Sequence, residues 1–142
     1  MIHEISHKTE EGWVYEDCKV DRVIDGDTVV MRLQAEHSVK VDFGFHIKDH
    51  VVLRKEAVII FRLADVDTPE LRGDEKPEGI ISKNAVEAVL NSGVSIRVVS
   101  LKEGKYGGRW IGRIYIMQET GEEIELSGWL IENELGDPYR IR

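Results

Sequence analysis

Short runs of β-branched and aromatic residues, broken at regular intervals by turn-forming residues, constrain this chain more than any other feature. TVVMRL at 28–33, AVIIFRL at 57–63, VSIRVVS at 94–100 and RWIGRIYIM at 109–117 read as strands, and WVYEDCKVDRVI at 13–24 supplies a fifth in rough alternation. Asp25-Gly26 is a turn signal that joins the strands at 13–24 and 28–33 as a hairpin or bent ribbon. Two segments carry helical marks instead. ISKNAVEAVLNSG at 81–93 spaces Ile81, Ala85 and Val89 by four, with Ser82 as the expected N-cap and Gly93 as the stop, and LSGWLIENEL at 126–135 suggests a short final helix capped by Ser127. Five short strands around one core predict a closed or nearly closed small β-barrel with helices, an α+β fold, because closure removes edges that an open sheet would expose.

A length of 142 residues with 42% hydrophobic content suits one compact domain. Residues 1–11 show no hydrophobic period and are expected to form a flexible lead-in to a single domain over 12–142. Residues 34–56 mix strand-like pieces with charges and are expected to form an elaborated connection. No apolar segment has the length of a signal peptide or membrane span, so a cytoplasmic protein without membrane contact is expected. Cys18 is the only cysteine, which excludes an internal disulfide, and it is read as a half-buried strand residue. The net charge of −8 disfavours tight non-specific binding to nucleic acid. Carboxylates gathered at one point would still bind a cation, which reverses the local field.

The chemistry-bearing residues gather in two stretches, IDGDTV at 24–29 and FRLADVDTPE at 61–70. If neighbouring strands bring Asp27 and Asp67 together, their mutual repulsion is relieved by a divalent cation, and a set of carboxylates, a backbone carbonyl and waters suits calcium or magnesium. Pro69 biases Thr68 toward extended backbone and so directs the Thr68 carbonyl, a further oxygen donor. Glu70 lies three residues past Asp67 and is placed as a base or water-orienting group. Arg62 and Arg109 present permanently charged forks that match phosphate oxygens. Together these favour hydrolysis of a phosphodiester. Strict strand alternation puts Arg62 on the face of Asp65 with Asp67 opposite, so this reading requires a bend near Val66. Taken singly, each motif has an ordinary structural use as a turn or a surface ion pair.

IDGDTV, FRLADVDTPE and KYGGRW, in that order, resemble the thermonuclease family, whose best-known member is staphylococcal nuclease; the resemblance spans most of residues 18–135. It implies an OB-type five-stranded barrel with helices and a calcium-dependent nuclease that cleaves DNA or RNA and leaves 3′-phosphates; because a small barrel groove admits an unpaired strand more easily than a duplex, single strands are the expected substrate. It makes Asp27 and Asp67 calcium carboxylates, Thr68 the carbonyl ligand, Glu70 the residue that activates water, Arg62 and Arg109 the phosphate clamps, and Lys105 and Tyr106 contacts to the bound nucleotide. A non-catalytic OB-type module that binds nucleic acid or protein is the alternative, and a calcium-stabilised interaction domain a third. This chain departs from the family pattern in its longer 34–56 connection, in Gly108 inserted before Arg109, which makes Arg113 a second candidate clamp, and in its acidic balance. His46 and His50 have metal-compatible spacing without partner ligands, and Trp13, Trp110 and Trp129 are expected mostly to pack the core.

Overall fold

A computed structural model describes residues 6–45, 48–105 and 108–139. The strands are β1 (Ser6–Lys8), β2 (Trp13–Tyr15), β3 (Lys19–Asp25), β4 (Thr28–Asp42), β5 (Lys48–Leu63), β6 (Val66–Asp67), β7 (Ser95–Glu103), β8 (Arg109–Met117), β9 (Glu123–Glu125) and β10 (Asp137–Pro138), and the helices are α1 (Lys76–Ser92) and α2 (Leu126–Glu132). The fold is mixed α+β. Eight strands form one sheet in the order β1-β2-β7-β8-β5-β4-β3 with β9 added to β8, while β6 and β10 pair separately. All sheet neighbours are antiparallel except β5 and β8, which run parallel with Phe61 opposite Trp110.

No ladder closes this sheet into a barrel among the described residues. The two ends of the run β3-β4-β5-β8-β7 are linked only by one backbone hydrogen bond, from Cys18 N–H, just ahead of β3, to Ile96 O on β7 (2.9 Å). The closed barrel expected from strand count alone is therefore not formed as a continuous ladder. One face of the sheet holds the core: Val29, Met31, Phe61, Leu63, Val98 and Ile114 pack with Val86 and Leu90 of α1 and with Leu126 and Leu130 of α2. These alternate along their strands, as a half-covered sheet requires. Cys18 is buried, its thiol faces Tyr15 O at 3.3 Å, and burial pushes its pKa up to about 12, which makes it an inert core residue.

Several sequence expectations change. Residues 6–8, read as lead-in, form β1 and pair with Trp13–Tyr15. Within the connection at 34–56, residues 34–42 and 48–56 continue β4 and β5, paired without interruption from Thr28 opposite Arg62 out to Asp42 opposite Lys48. Helix α1 begins near Pro77 rather than Ser82, because a proline in the first turn gives up no hydrogen bond. Ser82 lies inside the helix, buried, and donates to Leu135 O at 2.7 Å, while Ile81 faces solvent; the inward stripe is Ser82, Val86, Val89 and Leu90. Glu125 caps α2 in place of Ser127, its carboxylate accepting from Gly128 N–H at 2.7 Å. Trp13 and Trp110 are exposed, and only Trp129 packs against the core.

Candidate functional site

Asp27 sits in the two-residue turn between β3 and β4, where Asp25 pairs with Thr28. The turn folds inward. Asp27 is 7% exposed, its main-chain carbonyl accepts from Leu63 N–H at the end of β5, and its Oδ2 accepts from Thr68 N–H at 3.0 Å. Gly26 permits this approach, since a Cβ at that position would stand 2.8 Å from Thr68 Oγ1. The turn thereby clamps the 61–70 segment at two points, which brings the two acidic motifs into one place although forty residues separate Asp27 from Asp67 in the chain.

The bend that the site requires lies at Ala64 and Asp65. Asp65 adopts φ 67°, a left-handed conformation that aspartate tolerates better than most residues, and it ends β5. Arg62 holds the bend from inside: Nη1 donates to Leu63 O at 3.0 Å and to Val66 O at 2.7 Å. After the turn the two aspartates separate. Asp67 returns to Arg62, with Oδ1 3.4 Å from Nη2, and Asp65 instead meets Arg113 at 2.7 Å. The same Arg62 guanidinium lies 3.5 Å from Asp27 Oδ2 and 5.6 Å from the centre of the Tyr139 ring. One cation thus bridges Asp27 and Asp67.

Burial opposes ionisation of Asp27, but a hydrogen bond from Asp25, the Thr68 N–H, the Arg62 charge and the Thr28 hydroxyl outweigh it and hold its pKa below the ordinary carboxylate range. Asp25 shifts the other way, to about 6, through burial first and then the proton it shares with Asp27. A register shift between Val23 and Asp25 turns the Asp25 side chain toward its neighbour, as bulges beside functional sites do. Asp67 is also raised, by desolvation and by the charges of Asp27, Glu75 and Glu70, with Arg62 only partly offsetting them.

Glu70 stands close enough to load Asp67 electrostatically, yet its own carboxylate pairs with Arg72 at 2.9 Å on the exposed side. Helix α1 fixes the backbone of Glu70: Gly79 is buried, and a Cβ there would stand 2.4 Å from Glu70 O. Arg109 opens β8 opposite Ile60, and Ile111 lies opposite Arg62. Both arginines therefore project from one sheet face, with Cα atoms about 8 Å apart by strand spacing. Arg109 is exposed and makes no ion pair among the described residues. The inserted Gly108 takes φ 83°, a turn at the head of β8 that leaves Arg109 at its first position. Arg113 is engaged by Asp65, by Glu11 at 3.0 Å and by Glu125. Lys105 is exposed at the mouth of the same loop; Tyr106 and His46 lie outside the described residues, and His50 is exposed on β5.

Asp27, Asp67 and the Thr68 carbonyl are hard oxygen donors of the kind calcium takes; Asp67 is raised first by desolvation and then by the neighbouring carboxylates. Among the described residues no three His, Cys, Asp or Glu side chains cluster as a ligand set, so main-chain oxygen and water would have to complete the shell. The Thr68 hydroxyl is buried against Gly26 with no hydrogen-bond partner among the described residues. Asp25, Glu75 and Tyr139 enter the site without having been singled out. Asp25 was visible in IDGDTV as a turn residue, whereas nothing in the local sequence of Tyr139 signals its place over Arg62. No protein-family model matches the chain, and a search of curated proteins finds no match either.

Proposed function

We propose that this protein is a calcium-dependent phosphodiesterase acting on single-stranded DNA or RNA, with a thermonuclease-type site on an OB-type arrangement of strands. The observation that carries this reading is the single Arg62 guanidinium shared by Asp27 and Asp67, two acids from distant motifs, on the sheet face that also presents Arg109. The strand run β3-β4-β5-β8-β7, with one parallel pair and a hydrogen bond joining its ends, supports the OB-type reading.

Calcium held by Asp27, Asp67 and the Thr68 carbonyl would supply positive charge beside the scissile phosphate. The chain's own residues account for the rest. Arg62 and Arg109 bind non-bridging phosphate oxygens and stabilise the charge that grows on them during attack. Glu70 accepts the proton of the attacking water as its oxygen bonds to phosphorus; the bond to the 5′ oxygen breaks, and that oxygen takes a proton from solvent, leaving a 3′-phosphate. Incubation with labelled single-stranded DNA, with calcium or with chelator, tests this. Cleavage should require calcium and fall at least 100-fold in Glu70→Gln, and cleavage of equal rate in chelator would end the proposal.

A second reading is favoured by one contact, the pairing of Glu70 with Arg72 away from the two aspartates. A non-catalytic OB-type module would bind single strands without cleaving them, and Glu70→Gln would leave that binding unchanged.

A further inference from the structure

Beyond the catalytic reading, and independent of it, stands the paired arm formed by the outer parts of β4 and β5. Strand β3 pairs with β4 only as far as Arg32, and β8 pairs with β5 only from Ile60, so residues 33–42 and 48–59 form a ribbon whose two strands pair only with each other among the described residues, with β1 and β2 lying beside β4 as far as residues 36–38. At about 3.3 Å per residue the ribbon reaches about 33 Å from the sheet. Ribbons of two strands are marginal in water unless one face is covered. One face of this ribbon is mostly polar, carrying Glu36 and Arg54 as an ion pair, with Val52 and Val58 as its exposed apolar residues. The other continues the core face of the sheet and bears Leu53 and Val51, which are 56% and 46% exposed, beside Val39 and Val41.

We propose that this apolar face is covered by the same face of a second copy of the chain, in a twofold dimer of crossed arms. Along β5 the face reads Lys55, Leu53, Val51, Asp49: a cation, two apolar residues, an anion. A twofold axis in the plane of contact and across the strands reverses one copy over the other. It sets Lys55 against Asp49 of the second copy and Leu53 against Val51, and it carries the exposed Phe43 to the level of Leu33. The pattern is its own complement under that operation. The same axis sends the two bodies to opposite ends.

Charge points to the same occupant. Residues 34–56 carry four Lys or Arg against four Asp or Glu, whereas the whole chain carries −8, so the arm is where two copies approach without net repulsion. It offers no surplus of cations for a nucleic acid. A ribbon face about 33 Å by 10 Å covers less than the roughly 800 Å² per partner of a standard interface, and the dimer is accordingly weak and concentration-dependent.

Sedimentation velocity on the full chain, from micromolar to millimolar concentration, reads the association directly, with thermal unfolding as the check that each variant folds. Leu53→Glu should leave a monomer. Lys55→Asp and Asp49→Lys should each weaken dimerisation at least about tenfold, and the double variant should return it to within about threefold of the parent. A chain that is monomeric throughout, a dimer untouched by Leu53→Glu, or a double variant without recovery overturns the proposal. So does a monomer in which Leu53→Glu instead lowers affinity for single-stranded DNA, which would give the face to nucleic acid.

Discussion

Two aspartates two positions apart serve opposite partners here, and the reason is one backbone angle. The left-handed turn at Asp65 sends that side chain to Arg113 and returns Asp67 to Arg62. Asparagine tolerates the same angle, so Asp65→Asn should lose only a surface ion pair, about 0–1 kcal/mol, and keep activity. Asp67→Asn removes a site oxygen and should cost activity at least about tenfold with little change in melting temperature; a stopped assay with both variants reads the contrast. Asp25 gives a prediction on stability. Its folded pKa is raised from the ordinary aspartate value to about 6, so the folded state holds more protons than the unfolded one between about pH 4 and 6, and stability falls as pH rises through that window. Asn at this position keeps the acceptor for Asp27 N–H and offers a donor in place of the shared proton. Discounted for solvent screening, Asp25→Asn should gain about 1 kcal/mol above pH 7, or about 3 °C in a melting scan, and no gain at pH 4. The need for a bend near Val66 follows from FRLADVDTPE by simple alternation. That Arg62 itself holds the bend does not, because its bonds to the Leu63 and Val66 carbonyls depend on a turn that alternation cannot describe.

Among the elements, strands with a buried face were legible because their alternation is dictated by the core: Val29, Met31 and Leu33 of TVVMRL share one side by alternation, and all three lie in the core. The arm was not. Residues 34–42 and 48–56 are strand by pairing alone, and their exposed valines and scattered charges follow no burial that a reader of sequence could detect. Helix starts were misplaced for a related cause. Ser82 and Ser127 have the right chemistry for caps, but Pro77 lets α1 begin a turn earlier and Glu125 reaches the Gly128 amide first. Helix α1 also carries a test of how the site is positioned. Gly79→Ala adds helix propensity worth about 1 kcal/mol but drives a methyl group into Glu70 O, a clash of about 1–3 kcal/mol. A lower melting temperature, with kcat reduced more than KM, is the expected result in calorimetry and steady-state kinetics.

At the level of the whole molecule, the proposed function would make an acidic protein depend on a few local cations to hold a polyanion. With Arg62 and Arg109 as the two phosphate contacts, the logarithm of affinity for single-stranded DNA should fall with the logarithm of salt at a slope of about −1.4, and a third contact from Lys105 would steepen it to about −2.1. Titration of a non-cleavable strand at several salt concentrations distinguishes two contacts from three, and a flat profile would remove the arginines from the binding account. No helix among the described residues is long and apolar enough to cross a membrane.

Strand β5 is one unbroken spine from Lys48 to Leu63, and it carries the far end of the arm and the Arg62 fork on the same backbone. Side chains on such a spine swap sides at each step, so losing or adding one residue along its length would flip everything beyond the change, guanidinium or ribbon face alike. Natural size variants of this hairpin should therefore lengthen at the loop or by matched residues on both strands, and single-residue indels in its stem should be selected against.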